Sequence, residues 1–200
     1  MKRDIILAGV GGQGLLALAA IIGEAATRLG LHVKQAEVHG MAQRGGVVQS
    51  HLRFADRPIP SPLVPEGAAD LILSLEPMEA LRYLPYMAPD GAIVASSAPF
   101  VNIPDYPEAT TVLAELEASG RARLIDAPSL AKEAGALQAA NIVMLGAGAP
   151  FLEIAEDALL DAVDRFFAAK GKKVIDTNRR AFRLGLATSR SLAASRGSAS

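Results

Sequence analysis

The segment 4–29 constrains the fold more than any other stretch. DIILAG at 4–9 has the continuous apolar character of a strand buried on both faces. It runs directly into GVGGQG at 9–14, and GLLALAAIIGEAATRL at 14–29 then has helical composition, with Gly30 as a stop. A strand, a glycine turn and a helix in that order specify the first half of a βαβ unit. Glycines let such a turn tighten, and the helix that follows begins with unpaired N–H groups.

The rest of the chain continues the alternation. HVKQAEV at 32–38 and VVQSHLRF at 47–54 alternate as strands, DLILSL at 70–75 and GAIVAS at 91–96 read as buried strands, and ARLIDA at 122–127 as another. Helices are predicted over 76–84, 111–119, 128–135, 139–147 and 157–169, with Asp176 or Thr177 capping a last one through about 187. Pro58, Pro60, Pro62 and Pro65 make 55–69 a loop, and Pro99, Pro104 and Pro107 do the same for 97–110. The connection between 32–38 and 47–54 is too short for a parallel crossover, so those two strands are expected to pair antiparallel. The fold class that follows is α/β: a Rossmann-like, largely parallel sheet flanked by helices, with an antiparallel strand pair near 32–54. One domain is expected over 1–187, with SRSLAASRGSAS in 188–200 as a disordered tail.

Composition removes several functions. The chain has no cysteine, so it offers neither a disulfide, nor a thiolate nucleophile, nor thiolates for an iron–sulfur cluster. Its three histidines, His32, His39 and His51, have no metal-ligand spacing. A net charge of −1 gives no bulk attraction for nucleic acid or for an anionic membrane. Lys170, Lys172 and Lys173 read as a solvated helix end. No apolar run reaches the length of a membrane span, and a cytoplasmic protein is the expectation.

Two loops carry the candidate site. The first is Gly9, Gly11, Gly12, Gln13 and Gly14. With Glu37 at the end of the second strand it matches a dinucleotide-binding arrangement, and a stand-alone NAD- or FAD-binding protein stays open at this point. Close packing of helix on sheet would explain the same glycines. The second loop runs from Glu37 through His39, Gly40, Met41, Gln43, Arg44, Gly45 and Gly46. An apolar Met among polar residues, beside paired glycines, suits a ligand or subunit interface better than a plain hairpin. His39 is a candidate acid–base group with Glu37 as its nearest orienter. Arg44 can present a planar fork to a phosphate or carboxylate. His51, mid-strand, reads as structural, and Glu76 and Glu79 as acidic residues suited to a helix start.

GVGGQG, EVHGMAQRGG and VQSHLRF, in that order, resemble the gamma-type domain of the pyruvate/2-oxoacid:ferredoxin oxidoreductase family. DLILSLEPMEALRYLP, APFVNIPDYP and AANIVMLGA resemble its indolepyruvate ferredoxin oxidoreductase beta subunits, and the likeness runs from residue 4 to about 187. The resemblance implies a holoenzyme that decarboxylates a 2-oxoacid on thiamine diphosphate. Electrons pass through iron–sulfur clusters to ferredoxin, and the acyl group passes to coenzyme A. It implies that a large alpha subunit holds the thiamine diphosphate, Mg2+ and clusters, and that this chain holds no cofactor. The absence of cysteine and of a thiamine-diphosphate signature agrees with that division. No residue of this chain is assigned a catalytic role.

Overall fold

The computed structural model describes residues 1–39, 46–101 and 103–197. Six strands form one sheet: β1 (Lys2–Val10), β2 (His32–His39), β3 (Val47–Ala55), β4 (Ala69–Ser74), β5 (Met87–Ser96) and β6 (Ala122–Ile125). Their spatial order is β2-β3-β1-β4-β5-β6. The four strands β1, β4, β5 and β6 run parallel, while β3 is antiparallel to both of its neighbours, β1 and β2. The expected α/β class and the antiparallel pair are both borne out.

Strand alternation divides the core into two layers. Ile5, Leu7, Leu71, Leu73 and Val94 point to one face. There they meet α1 (Leu15–Arg28), α4 (Ala127–Ala134), α5 (Ala140–Gly148), α6 (Glu156–Phe166) and α7 (Lys172–Gly197). Ile6, Ala8, Ile72, Ile93 and Ala95 point to the other, under α2 (Pro77–Arg82) and α3 (Ala109–Ala118). Covering both faces is what makes the parallel strands read as unbroken apolar runs. The connection after β1 crosses towards β2 and β3 on one face, and the connection after β4 crosses towards β5 on the other. The two loops therefore diverge, which opens a crevice at the carboxyl ends of the strands.

At the opposite end of the sheet the proline-rich loop is strapped down by β3. Arg53 grips the buried Asp4 carboxylate with Nε to Oδ1 at 2.6 Å and Nη2 to Oδ2 at 3.0 Å. Its Nη1 donates to the carbonyls of Ser61 at 3.0 Å and Leu63 at 2.9 Å. His51 accepts from the Val64 N–H through Nδ1 at 3.0 Å, so its structural reading holds. Burial, and then the nearby Arg53, hold the His51 imidazole below its ordinary pKa.

The last helix departs from the sequence reading. It starts at Lys172, directly after Gly171 in the left-handed region, so Asp176 and Thr177 lie inside it and do not cap it. It also continues to Gly197, where a disordered tail was expected from 188. Ser189 is fully buried and accepts a bond from Arg123 Nη1 at 3.0 Å, and Leu192 packs on the core. Sparse contacts of this kind carry little apolar pattern. Lys172 and Lys173 stand at the start of α7, where the helix dipole disfavours cations. Burial of Thr177, Asn178, Ala181 and Phe182 along the same helix decides the start instead.

Candidate functional site

The glycine turn is built from its ends inward. β1 delivers the chain to Val10, whose N–H is taken by the Gln13 side chain at 2.8 Å. The same amide donates to the Leu75 carbonyl at 3.1 Å, tying the turn to the end of β4. A Cβ on Gly9 would stand 2.8 Å from Gln13 Oε1, so only glycine lets that side chain fold back. Gly12 and Gly14 have φ of 101° and 84°, a conformation that L side chains avoid. Gly14 precedes α1, which begins with no side-chain cap. The start of α1 therefore presents backbone N–H groups towards the crevice.

Asn141 closes the turn from behind. It is buried, its Nδ2 donates to the Gly14 carbonyl at 3.3 Å, and a Cβ on Gly14 would meet that same nitrogen at 2.6 Å. Sequence reading missed Asn141, although a lone amide inside AANIVMLGA was a usable signal. The crevice has a volume of about 350 Å³. Gly12, Gly14, Leu75, Phe100, Leu137 and Asn141 are among its walls, so three strand ends and the start of α5 converge on it.

Glu76 builds the rim, confirming its structural role and extending it. It caps α2 by accepting from the Glu79 N–H at 2.9 Å, and Pro77 follows at the first helical position. Its other oxygen accepts from the Phe100 N–H at 3.2 Å and from the Tyr106 hydroxyl. One carboxylate thus pins the loop after β5 onto the head of α2. Burial, and then the bond to Glu76, push the Tyr106 phenol above its ordinary pKa. Burial likewise raises the Glu79 carboxyl, against the opposing pull of Arg82 at 3.0 Å.

The two predicted loops meet. Val10 pairs with Val47 across β1 and β3, and the Gly11 N–H donates to the Gly46 carbonyl at 2.8 Å. Gly9, Gly11, Gly12, Gln13, Gly14 and Gly46 are therefore one neighbourhood. His39 ends β2 opposite Val48. Gly40, Met41, Gln43, Arg44 and Gly45 lie outside the described residues. Glu37 is not beside the glycine turn. It faces Ser50 on β3, takes a bond from Gln35, and is separated from β1 by the whole of β3, about 10 Å at two strand spacings. A dinucleotide fold needs its ribose-binding acid on the strand next to the first, and here that place is held by an antiparallel strand.

Among the described residues no group of three or more His, Asp or Glu side chains is placed to hold a metal ion, and the sequence has no cysteine. Without cysteine the chain has no thiolate to offer an iron–sulfur cluster. Among the described residues no helix is long and apolar enough to cross a membrane.

Residues 4–188 match the family described as pyruvate ferredoxin/flavodoxin oxidoreductase. The chain belongs to this family. It is 35% identical over 198 residues to indolepyruvate oxidoreductase subunit IorB of Archaeoglobus fulgidus, covering 92% of this chain and 94% of that one. Its fold is similar to that of the keto/oxoacid ferredoxin oxidoreductase gamma subunit of Geobacter sulfurreducens, with a TM-score of 0.67, 24% identity, and coverage of 94% and 99%. It is also similar to the 2-oxoglutarate:ferredoxin oxidoreductase of Magnetococcus marinus solved with 2-oxoglutarate, coenzyme A and succinyl-CoA. There the TM-score is 0.76 at 24% identity, covering 95% of this chain. The chain spans 31% of that longer polypeptide. The expected oxidoreductase family is borne out.

Proposed function

We propose that the chain is the small, cofactor-free subunit of a cytoplasmic thiamine-diphosphate-dependent 2-oxoacid:ferredoxin oxidoreductase that acts on indolepyruvate or another aryl 2-oxoacid. The observation that carries this reading is the end-to-end likeness to an indolepyruvate oxidoreductase subunit. Thiamine diphosphate on the large alpha subunit supplies the carbanion chemistry, alongside Mg2+ and the iron–sulfur clusters. This chain, without cysteine, has no thiolate to offer them.

Its own residues bind and orient. The glycine turn, stiffened by Gln13 and backed by Asn141, sets the open start of α1 at the rim of the crevice. That rim suits the phosphates of coenzyme A, the co-substrate, because backbone N–H groups and the helix dipole favour anions there. Leu16, Phe100, Val101, Ile103 and Leu137 are exposed apolar residues around the same end of the sheet. Such a concentration suits cover by another protein surface, here the large subunit. Arg44, two residues before Gly46 in the sequence, is the residue proposed to meet a phosphate or carboxylate of a substrate.

The test is steady-state turnover of the complex reconstituted with its large subunit, with 2-oxoacid and coenzyme A varied separately. Arg44→Ala is expected to raise the KM for coenzyme A by about tenfold, the loss of one charge-assisted bond, with the melting temperature of the small subunit unchanged. Unaltered kinetics in both substrates would remove Arg44 from the site. Absence of aryl 2-oxoacid turnover in the wild-type complex would remove the substrate assignment.

A further inference from the structure

A second cavity of about 350 Å³ lies behind the crevice. It is bounded by Ala17 on α1, the turn between α4 and α5, the end of α6, and the first turns of α7. Gln138 and Asn141 line both spaces, so one wall of side chains separates this cavity from the glycine turn.

One wall is apolar. Phe166 and Phe167 meet edge to face with ring centroids 5.0 Å apart, and Ala17, Ala136 and Ala139 leave room opposite them. Its polar groups are few. Thr177 is only 8% exposed, and among the described residues its hydroxyl has no hydrogen-bond partner. Thr27 and Thr188, on α1 and α7, behave in the usual way for a helix and bond the carbonyls of Gly23 at 2.8 Å and Leu184 at 2.9 Å. Thr177 instead leaves its hydroxyl to the cavity. The cavity reaches that oxygen, so it is open to hydrogen-bond a ligand there. The neighbouring Asn178 is 5% exposed and spends its Nδ2 on the Val174 carbonyl at 2.9 Å, which leaves its oxygen as an acceptor. Lys173 lines the rim and Arg180 lies against Gly135, and among the described residues neither has a carboxylate within ion-pair distance. Asp164, the nearby acid, is already paired with Arg179.

An aromatic wall, a hydroxyl open to the cavity and the Lys173 ammonium at the mouth suit a flat ring that ends in an anion. We infer that this cavity binds a small aromatic carboxylate, its ring on Phe166 and Phe167 and its carboxylate held by Thr177 and Lys173. The site is separate from the crevice and stands apart from the proposed function.

The chain has no tryptophan, so indole fluorescence in a titration belongs to the probe. Indole-3-acetate titrated with the purified full chain is expected to bind saturably, with neutral indole about tenfold weaker for want of the charged contact. Thr177→Val and Lys173→Ala should each weaken indole-3-acetate by about tenfold and leave indole unchanged. Thr177→Ser should restore binding, and Ala136→Leu should remove it for both probes. Melting temperatures identify any variant that fails to fold, and the serine rescue then decides. No saturable binding to folded wild-type chain at millimolar probe, equal binding of acid and neutral ring, or indifference to these substitutions would overturn the proposal.

Discussion

The N–H of Gly11 donates to the carbonyl of Gly46 at 2.8 Å, joining the turn after β1 to the residue that precedes β3. Two glycine-rich stretches, far apart in the sequence, thereby become one surface. The bond is between main chains and needs no side chain from either stretch.

Gln13 is the side chain that holds this surface in shape. Gln13→Ala gives up bonds to Val10 and Leu75, and two neutral bonds at about 1 kcal/mol each predict a loss of about 2 kcal/mol. Urea denaturation of the isolated subunit measures it. Turnover of the complex should fall as well, since the start of α1 is no longer fixed.

Glu76→Ala removes a helix cap and both anchors of the loop after β5. A loss of about 2–4 kcal/mol is expected, combining the cap with bonds to a charged acceptor. Faster proteolysis between Ala98 and Tyr106 should accompany it, whereas Glu79→Gln should leave that loop protected.

Gly146 on α5 and Gly185 on α7 lie where the two helices touch backbone to backbone. A Cβ on Gly146 would collide with the Phe182 carbonyl, and one on Gly185 with the Val143 carbonyl. Each Gly→Ala change is predicted to cost about 3 kcal/mol or more despite the better helix propensity of alanine. Thermal melts of the two variants check this, and a rise in melting temperature would refute it.

Truncation after Thr188 removes the buried Ser189, its bond with Arg123, and the packing of Leu192. A loss of about 1–2 kcal/mol follows from one hydrogen bond and partial apolar burial. A denaturant midpoint equal to that of the full chain would return this segment to a dispensable tail.

His51 sets a pH dependence. Its folded pKa lies below the ordinary value of 6.5, because burial and Arg53 disfavour the cation. The unfolded chain therefore takes up a proton first, and the stability present above pH 6.5 is lost as pH falls through that value. Melting temperature should decline from about pH 7.5 to pH 5.5, and more steeply than in His51→Gln. Glu79, raised by burial, contributes with the opposite sign.

Much of the fold was legible because the parallel strands are buried on both faces and announce themselves as apolar runs. The antiparallel pair was legible from loop length alone. The extent of α7 was not, since its last turns are held by Ser189 and Leu192 and have no apolar stripe. In the site, the glycines were visible because their backbone geometry excludes other residues. Asn141, Phe100 and Leu137 were not, because their roles arise where distant elements converge on the crevice. Glu37 misled for a related reason: position along the sequence puts it at a strand end, but only sheet order shows which strand stands between it and β1.

The two ends of the loop that leads to Gly46 are secured unequally. Its far end enters β3, which is registered against β1 over nine residue pairs in the middle of the sheet, while its near end leaves β2, an edge strand with one neighbour. Added or deleted residues near His39 can be absorbed by the edge without disturbing the interior. The same change beside Gly46 would shift β3 against β1 and turn its inward side chains outward. Length variation among natural versions of this protein should therefore accumulate on the β2 side of the loop and stop short of Gly46.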